Sequence, residues 1–130
     1  MAWSPSVHAK LLKVGALFAI TTGSADILFG LKPFTYTSGP LSVNPSVYAV
    51  IDNQVRFFGA VWAGYGAILW WTANDLKTRR TPLGILCGIM IVGGIGRLAS
   101  ALTHGFGATW TAVATFLELF GPPALYLLGC

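Results

Sequence analysis

Gly93-Gly94-Ile95-Gly96-Arg97-Leu98-Ala99-Ser100 sets a permanently charged guanidinium inside a glycine-lined, otherwise apolar segment. In hydrocarbon a charged side chain costs about 2.5–3.5 kcal/mol on insertion scales, so an arginine there faces a partner, a cavity or a pathway. Working outward, the apolar character extends from Pro82 to Thr103. At about 1.5 Å per residue that is enough to cross a hydrocarbon core of about 30 Å. Gly84, Gly88 and Gly93 form a small-residue face along it, and Gly93, Arg97, Ser100 and His104 share one helical stripe. His104 therefore looks either toward the space that Arg97 faces or into an interfacial turn at residues 103–107.

The rest of the chain fits the same setting. Only 9% of the 130 residues are charged and 55% are hydrophobic, whereas a soluble domain carries about 25% charged residues. Apolar stretches at 11–30, 47–72, 82–103 and 109–128 use nearly all the length. They predict a single integral membrane domain over 1–130, an all-α four-helix transmembrane bundle with short connections and one longer loop between helices one and two. The net charge of +4 comes from a few residues at segment ends, where they act as flanking anchors, so nucleic acid is excluded as a partner. Cys87 and Cys130 form no CxxC pair or prenylation box, and His8 and His104 lack companions for a metal site. No metal and no cofactor are expected.

Lys10, Lys13 and the run Val14 to Ile20, followed by Gly23-Ser24-Ala25, mimic a signal peptide. Apolar character resumes at Ile27-Leu28-Phe29, so the segment reads better as a span with Asp26 in its second half. The connection at 32–46 is too rich in Pro, Gly and Ser for a helix and is long enough to act as a lid. Its Asn44-Pro45-Ser46 has proline at the position that forbids glycosylation. Segment two opens with Asp52-Asn53-Gln54 and Arg56, the acid and base four residues apart on one face. Gly59, Ala60, Ala63, Gly64, Gly66 and Ala67 then permit close helix approach or homo-oligomerisation. Glu118 lies mid-span in segment four, one turn before Pro122-Pro123.

Lys10, Lys13, Lys77, Arg79 and Arg80 all fall on the side of the termini, which the positive-inside rule assigns to the cytosol. Counting rise per residue, Asp26 lies about 6 Å, Arg97 about 9 Å, Arg56 about 10 Å and Glu118 about 13 Å from the opposite membrane face. Ionisable groups of balanced sign at similar depth predict one buried polar cluster with Asp52 nearer its mouth.

These features resemble a known family. Asp52-Asn-Gln-Val-Arg56-Phe-Phe-Gly59 with Gly64 and Gly66, Gly93-Gly94-Ile95-Gly96-Arg97-Leu98 with Gly105, and Glu118 are similar to the small four-span membrane proteins grouped as domain of unknown function 4345, which look distantly DoxX-like. The resemblance covers the chain from about residue 11 onward and implies the fold but no activity. Asp26 and the 32–46 loop are not part of it.

Function divides between classes. In the first, the protein is a cofactor-independent isomerase or cyclase acting on a lipophilic intermediate of specialised metabolism. Glu118 or Asp26 is then the general acid/base, and Arg97 and Arg56 hold an enolate or carboxylate. Asp52, Gln54, Trp62, Tyr65, His104 and Trp110 are the expected substrate contacts, together with Phe57 and Phe58. In the second class the charges are a structural network in a membrane scaffold or accessory subunit. A transport path is the third, and four short spans make a narrow conduit without oligomerisation.

Overall fold

The computed structural model describes residues 4–129; Met1–Trp3 and Cys130, whose thiol entered the sequence reading, lie outside them. The described chain is all-α: α1 (Pro5–Phe29), α2 (Lys32–Ser38), α3 (Pro45–Ala73), α4 (Arg80–His104) and α5 (Thr109–Leu128). By length and composition three of them, α1, α4 and α5, are able to cross a membrane. The 29-residue α3 is long enough, but Arg56, its glycines and its Trp and Tyr residues dilute its hydropathy.

The starts and stops have local causes. Ser4 Oγ accepts the Val7 N–H at 3.4 Å and Pro5 opens α1, so the helix begins ahead of the apolar stretch that starts at 11. Asn44-Pro45-Ser46 turns out to be a helix start, with Asn44 Oδ1 accepting the Ser46 N–H at 2.9 Å and Pro45 in the first turn of α3. Before α4, Asp75 accepts the Thr78 hydroxyl at 2.5 Å and its N–H at 3.3 Å. These two bonds, led by the hydroxyl, hold the Asp75 carboxyl below the ordinary carboxylate range. α1 and α4 end at glycines with positive φ, Gly30 (59°) and Gly105 (76°), whose N–H groups return to Asp26 O and Ala101 O.

One expectation is corrected. The 32–46 connection contains a helix, α2, despite its composition. Pro33 falls in the first turn, where proline is tolerated, and the helix stops at Gly39, φ 83°. Its first residues are held by a distant group, since the Leu31 N–H donates to Asp52 Oδ1 at 2.8 Å.

The chain divides into two compact units, residues 13–71 and residues 72–130 together with the N-terminal segment to Leu12. Within 13–71, α1 and α3 meet backbone to backbone. A Cβ on Gly23 would lie 2.5 Å from Gly59 O, and one on Gly66 would lie 2.7 Å from Ala16 O. Gly64 faces open space, so only part of the small-residue series is used for this contact. Trp62 Nε1 donates to Thr22 Oγ1 at 2.9 Å and the Trp62 ring stacks on Tyr65 at 5.2 Å.

In the other unit α4 packs on α5. Leu119 and Glu118 close over Gly94, and the Tyr126 ring lies over Gly84, while Gly88 and Gly96 meet nothing. The His8 imidazole is buried against Gly129 and faces the backbone of Leu125. Outward, Ile85, Ile89 and Val92 of α4 and Phe116 and Phe120 of α5 are more than half exposed. Such apolar surface is unsuited to water and suits lipid.

Candidate functional site

The site is built on α4 and α5. Gly94 brings the two helices together beside Glu118: a Cβ there would sit 3.1 Å from Glu118 Cβ and 3.0 Å from the Leu119 side chain. That approach lets Arg97 reach across. Its Nε donates to both carboxylate oxygens of Glu118, at 3.0 Å to Oε1 and 2.8 Å to Oε2. The carboxylate is the more sheltered partner, 13% exposed against 41% for the arginine side chain. The Trp110 ring lies 6.0 Å from the guanidinium carbon, within cation–π range.

Every side-chain hydrogen bond that Arg97 makes among the described residues passes through Nε. Its two terminal amino groups are uncommitted, although a guanidinium carries five N–H donors. Arg97 borders a cleft of about 110 Å³ lined also by Ser100, Ala101, Phe106, Thr111 and Thr115. The threonines are held in place by the backbone. Thr115 Oγ1 donates to Thr111 O at 2.7 Å, and Thr111 Oγ1 donates to Ala108 O at 2.6 Å and to Phe106 O. Their oxygen lone pairs remain able to accept. The cleft is smaller than the roughly 300 Å³ of a typical enclosed ligand pocket, so it admits a polar head and leaves a longer body outside.

The second arginine is used differently. Within residues 13–71, Arg56 Nε pairs with Asp52 Oδ2 at 2.8 Å, and Arg56 Nη1 donates to Ile27 O at 2.7 Å and Leu28 O at 3.2 Å. These are carbonyls of the last turn of α1, where a cation is favoured by the helix dipole. Asp52 Oδ1 meanwhile takes the Leu31 N–H and lies against Gly30. Arg56 and Asp52 thus fasten the corner between α1 and α2 to α3, and each arginine takes its acid from within its own unit. Of the charges expected to cluster, Arg97 pairs with Glu118 and Arg56 pairs with Asp52, while Asp26 joins neither pair.

The remaining expected residues scatter. Asp26 packs beside Gly59, and its carboxylate has no hydrogen-bond or ion-pair partner among the described residues. Gln54 and His104 are exposed. Trp62 and Tyr65 serve the α1–α3 contact, and Trp110 stands beside Arg97. Ala101 and Phe106 were not among the expected site residues, and Gly105 entered only through the motif that carries the family resemblance. They join the cleft because the turn after α4 folds back under Thr111, for which the paired glycines Gly105 and Gly107, both with positive φ, were the available signal.

A family model described as domain of unknown function (DUF4345) matches residues 8–129. No curated protein and no solved structure matches the chain.

Proposed function

We propose, for a chain that belongs to the domain of unknown function 4345 family, a four-span membrane enzyme that moves a proton on a lipophilic carbonyl compound. In this reading α3 is the fourth span, its polar and small residues turned toward neighbouring helices, and both termini lie in the cytosol. The observation that carries the reading is Arg97, which grips Glu118 through Nε alone beside a cleft.

The terminal amino groups of Arg97 bind the substrate carbonyl oxygen. Glu118 takes a proton from the adjacent carbon, the bonding pair moves toward the oxygen, and the guanidinium stabilises the enolate so formed. Protonated Glu118 then returns the proton to a different carbon, giving an isomer with no net gain or loss. A positioned base contributes about 10²–10⁴-fold and an oxyanion donor about 10²–10³-fold. Low dielectric strengthens both effects. Isomerisation or ring closure of a lipophilic intermediate of specialised metabolism is the corresponding reaction class.

The elementary step is measurable without the natural substrate. Long-chain ketones are incubated with the full chain in lipid nanodiscs in D₂O, and deuterium entry at the α carbon is followed by NMR. Exchange above that of empty nanodiscs, lost in folded Glu118→Gln and Arg97→Gln, is expected. Exchange that persists in both variants, or none with the native chain, sinks the proposal. The competing structural reading, in which the ion pair sets the register of α4 against α5, is favoured by Gly94, which lets α4 come close to α5 beside Glu118. It predicts misassembly of both variants with no exchange by any form.

A further inference from the structure

A second site lies within residues 13–71. Leu17, Ile20, Ala67 and Trp70 line an apolar groove of about 350 Å³ between α1 and α3. At its head the Lys13 ammonium sits 5.0 Å from the centre of the Trp70 ring. Lys13, Leu17 and Ile20 follow one another at i, i+4 and i+7 on α1, and Ala67 lies one turn from Trp70 on α3. A lysine and a tryptophan level with each other mark a membrane–water interface. From that level Leu17 is about 6 Å and Ile20 about 10 Å deeper. The groove therefore starts at headgroup height under a cation and runs inward alongside the acyl chains.

The charge is the discriminating feature. Among the described residues no carboxylate lies within ion-pair distance of Lys13. Resting on a ring face does not neutralise an ammonium, which keeps its charge and three donors. We propose that this groove binds an anionic phospholipid, its phosphate on Lys13 and one acyl chain along Leu17 and Ile20 against the Trp70 ring. A zwitterionic lipid would bring its own cation to the same place. A helix from a second copy would bury the ammonium against apolar surface without compensation.

Brominated lipids quench nearby tryptophan, so the full chain is reconstituted into phosphatidylcholine vesicles containing either brominated phosphatidylglycerol or brominated phosphatidylcholine. Trp70→Phe identifies the Trp70 part of the signal. The expected preference for phosphatidylglycerol at Trp70 is about fivefold, the contribution of one lysine near the surface. It falls toward unity in Lys13→Gln, survives in Lys13→Arg and weakens with added salt. Ala67→Leu fills the groove from an exposed position, so the fold is retained while quenching by both lipids drops. Equal quenching by the two lipids in the native chain, or a preference undiminished in Lys13→Gln, overturns the proposal. So does absence of Trp70 quenching combined with a dimer, detected by cross-linking, that Ala67→Leu disperses.

Discussion

Gly59 and Gly64 lie on the same helix, and alanine at the two positions should act in opposite directions. At Gly59 a Cβ would stand 2.7 Å from Gly23 O, 2.7 Å from Asp26 Cβ and 3.1 Å from the Ile27 N. Ordinary contact begins near 3.4 Å, so α1 and α3 must part by about 0.7 Å (3.4 − 2.7). The obstructing atoms are backbone and Cβ, so no rotamer change relieves them. Overpacking of this kind costs about 1–3 kcal/mol, with the upper end appropriate for a backbone obstruction. Parting the helices also forfeits about a quarter to a half of each neighbouring dispersion contact, among them those at Gly23 and Gly66. Alanine regains about 1 kcal/mol of helix propensity, leaving Gly59→Ala destabilised by about 2 kcal/mol. At Gly64 a Cβ meets nothing within 4 Å, so only the propensity gain of up to about 1 kcal/mol remains. The two variants should differ by about 3 kcal/mol in SDS titrations of the full chain in mixed micelles, followed by circular dichroism. If Gly59→Ala is as stable as Gly64→Ala, the backbone contact between α1 and α3 is wrong.

Three further outcomes follow from the charged and turn residues. Glu118→Leu leaves the partly exposed Arg97 guanidinium without its acid and should cost about 1–3 kcal/mol, whereas Arg97→Met/Glu118→Leu should return to within about 1 kcal/mol of the native chain in the same titration; equal losses would mean that the pair is not coupled. Gly30→Ala forces a side chain into positive φ against the Asp52 carboxylate and should destabilise by more than the roughly 1–2 kcal/mol of the backbone strain alone, read by the same unfolding assay. Asp75 has its folded-state carboxyl lowered from 3.8 by its bonds from Thr78, so its support of the turn before α4 is present above pH 3.8 and is lost as pH falls below that value. Amide exchange at Arg79 and Leu83 should therefore accelerate in acid, and Asp75→Asn should remove that acid-dependent step.

Helix lengths were legible because hydropathy reports them directly, and the last two helices match their apolar stretches closely. The Arg97–Glu118 contact was legible too, since two opposite charges at similar depth have few alternatives in lipid. α2 was not, because its start is stabilised by a carboxylate 21 residues away, and composition cannot register a cap supplied from a distance. Nor could spacing tell which glycines touch a neighbour: Gly59 and Gly66 do and Gly64 does not, a distinction of rotation about the helix axis that an unbroken small-residue series leaves open. Asn44 was weighed only as a sugar acceptor, although the same Asn-Pro pair is a strong helix start.

Depth along a span treated Arg56 and Arg97 as equivalents, and the two differ in what stands opposite them. Arg56 faces the point where α1 ends at Gly30, and a helix end presents carbonyls that need donors. Its Nε and Nη1 are accordingly spent on Asp52, Ile27 O and Leu28 O. Arg97 faces the interior of a continuous helix, where carbonyls are normally satisfied, so its terminal amino groups find no such claim. The backbone at that level is nevertheless special. Pro122 has no N–H to return to the Glu118 carbonyl, and Pro123 has none for Leu119. The acid that Arg97 holds thus sits on the one turn of α5 whose own backbone lacks donors, and hydrocarbon supplies none. The proline pair thus leaves two carbonyls one turn beyond the ion pair in want of donors, a need distinct from that of the guanidinium, whose cleft is lined on α5 by Thr111 and Thr115 on the opposite side of Glu118.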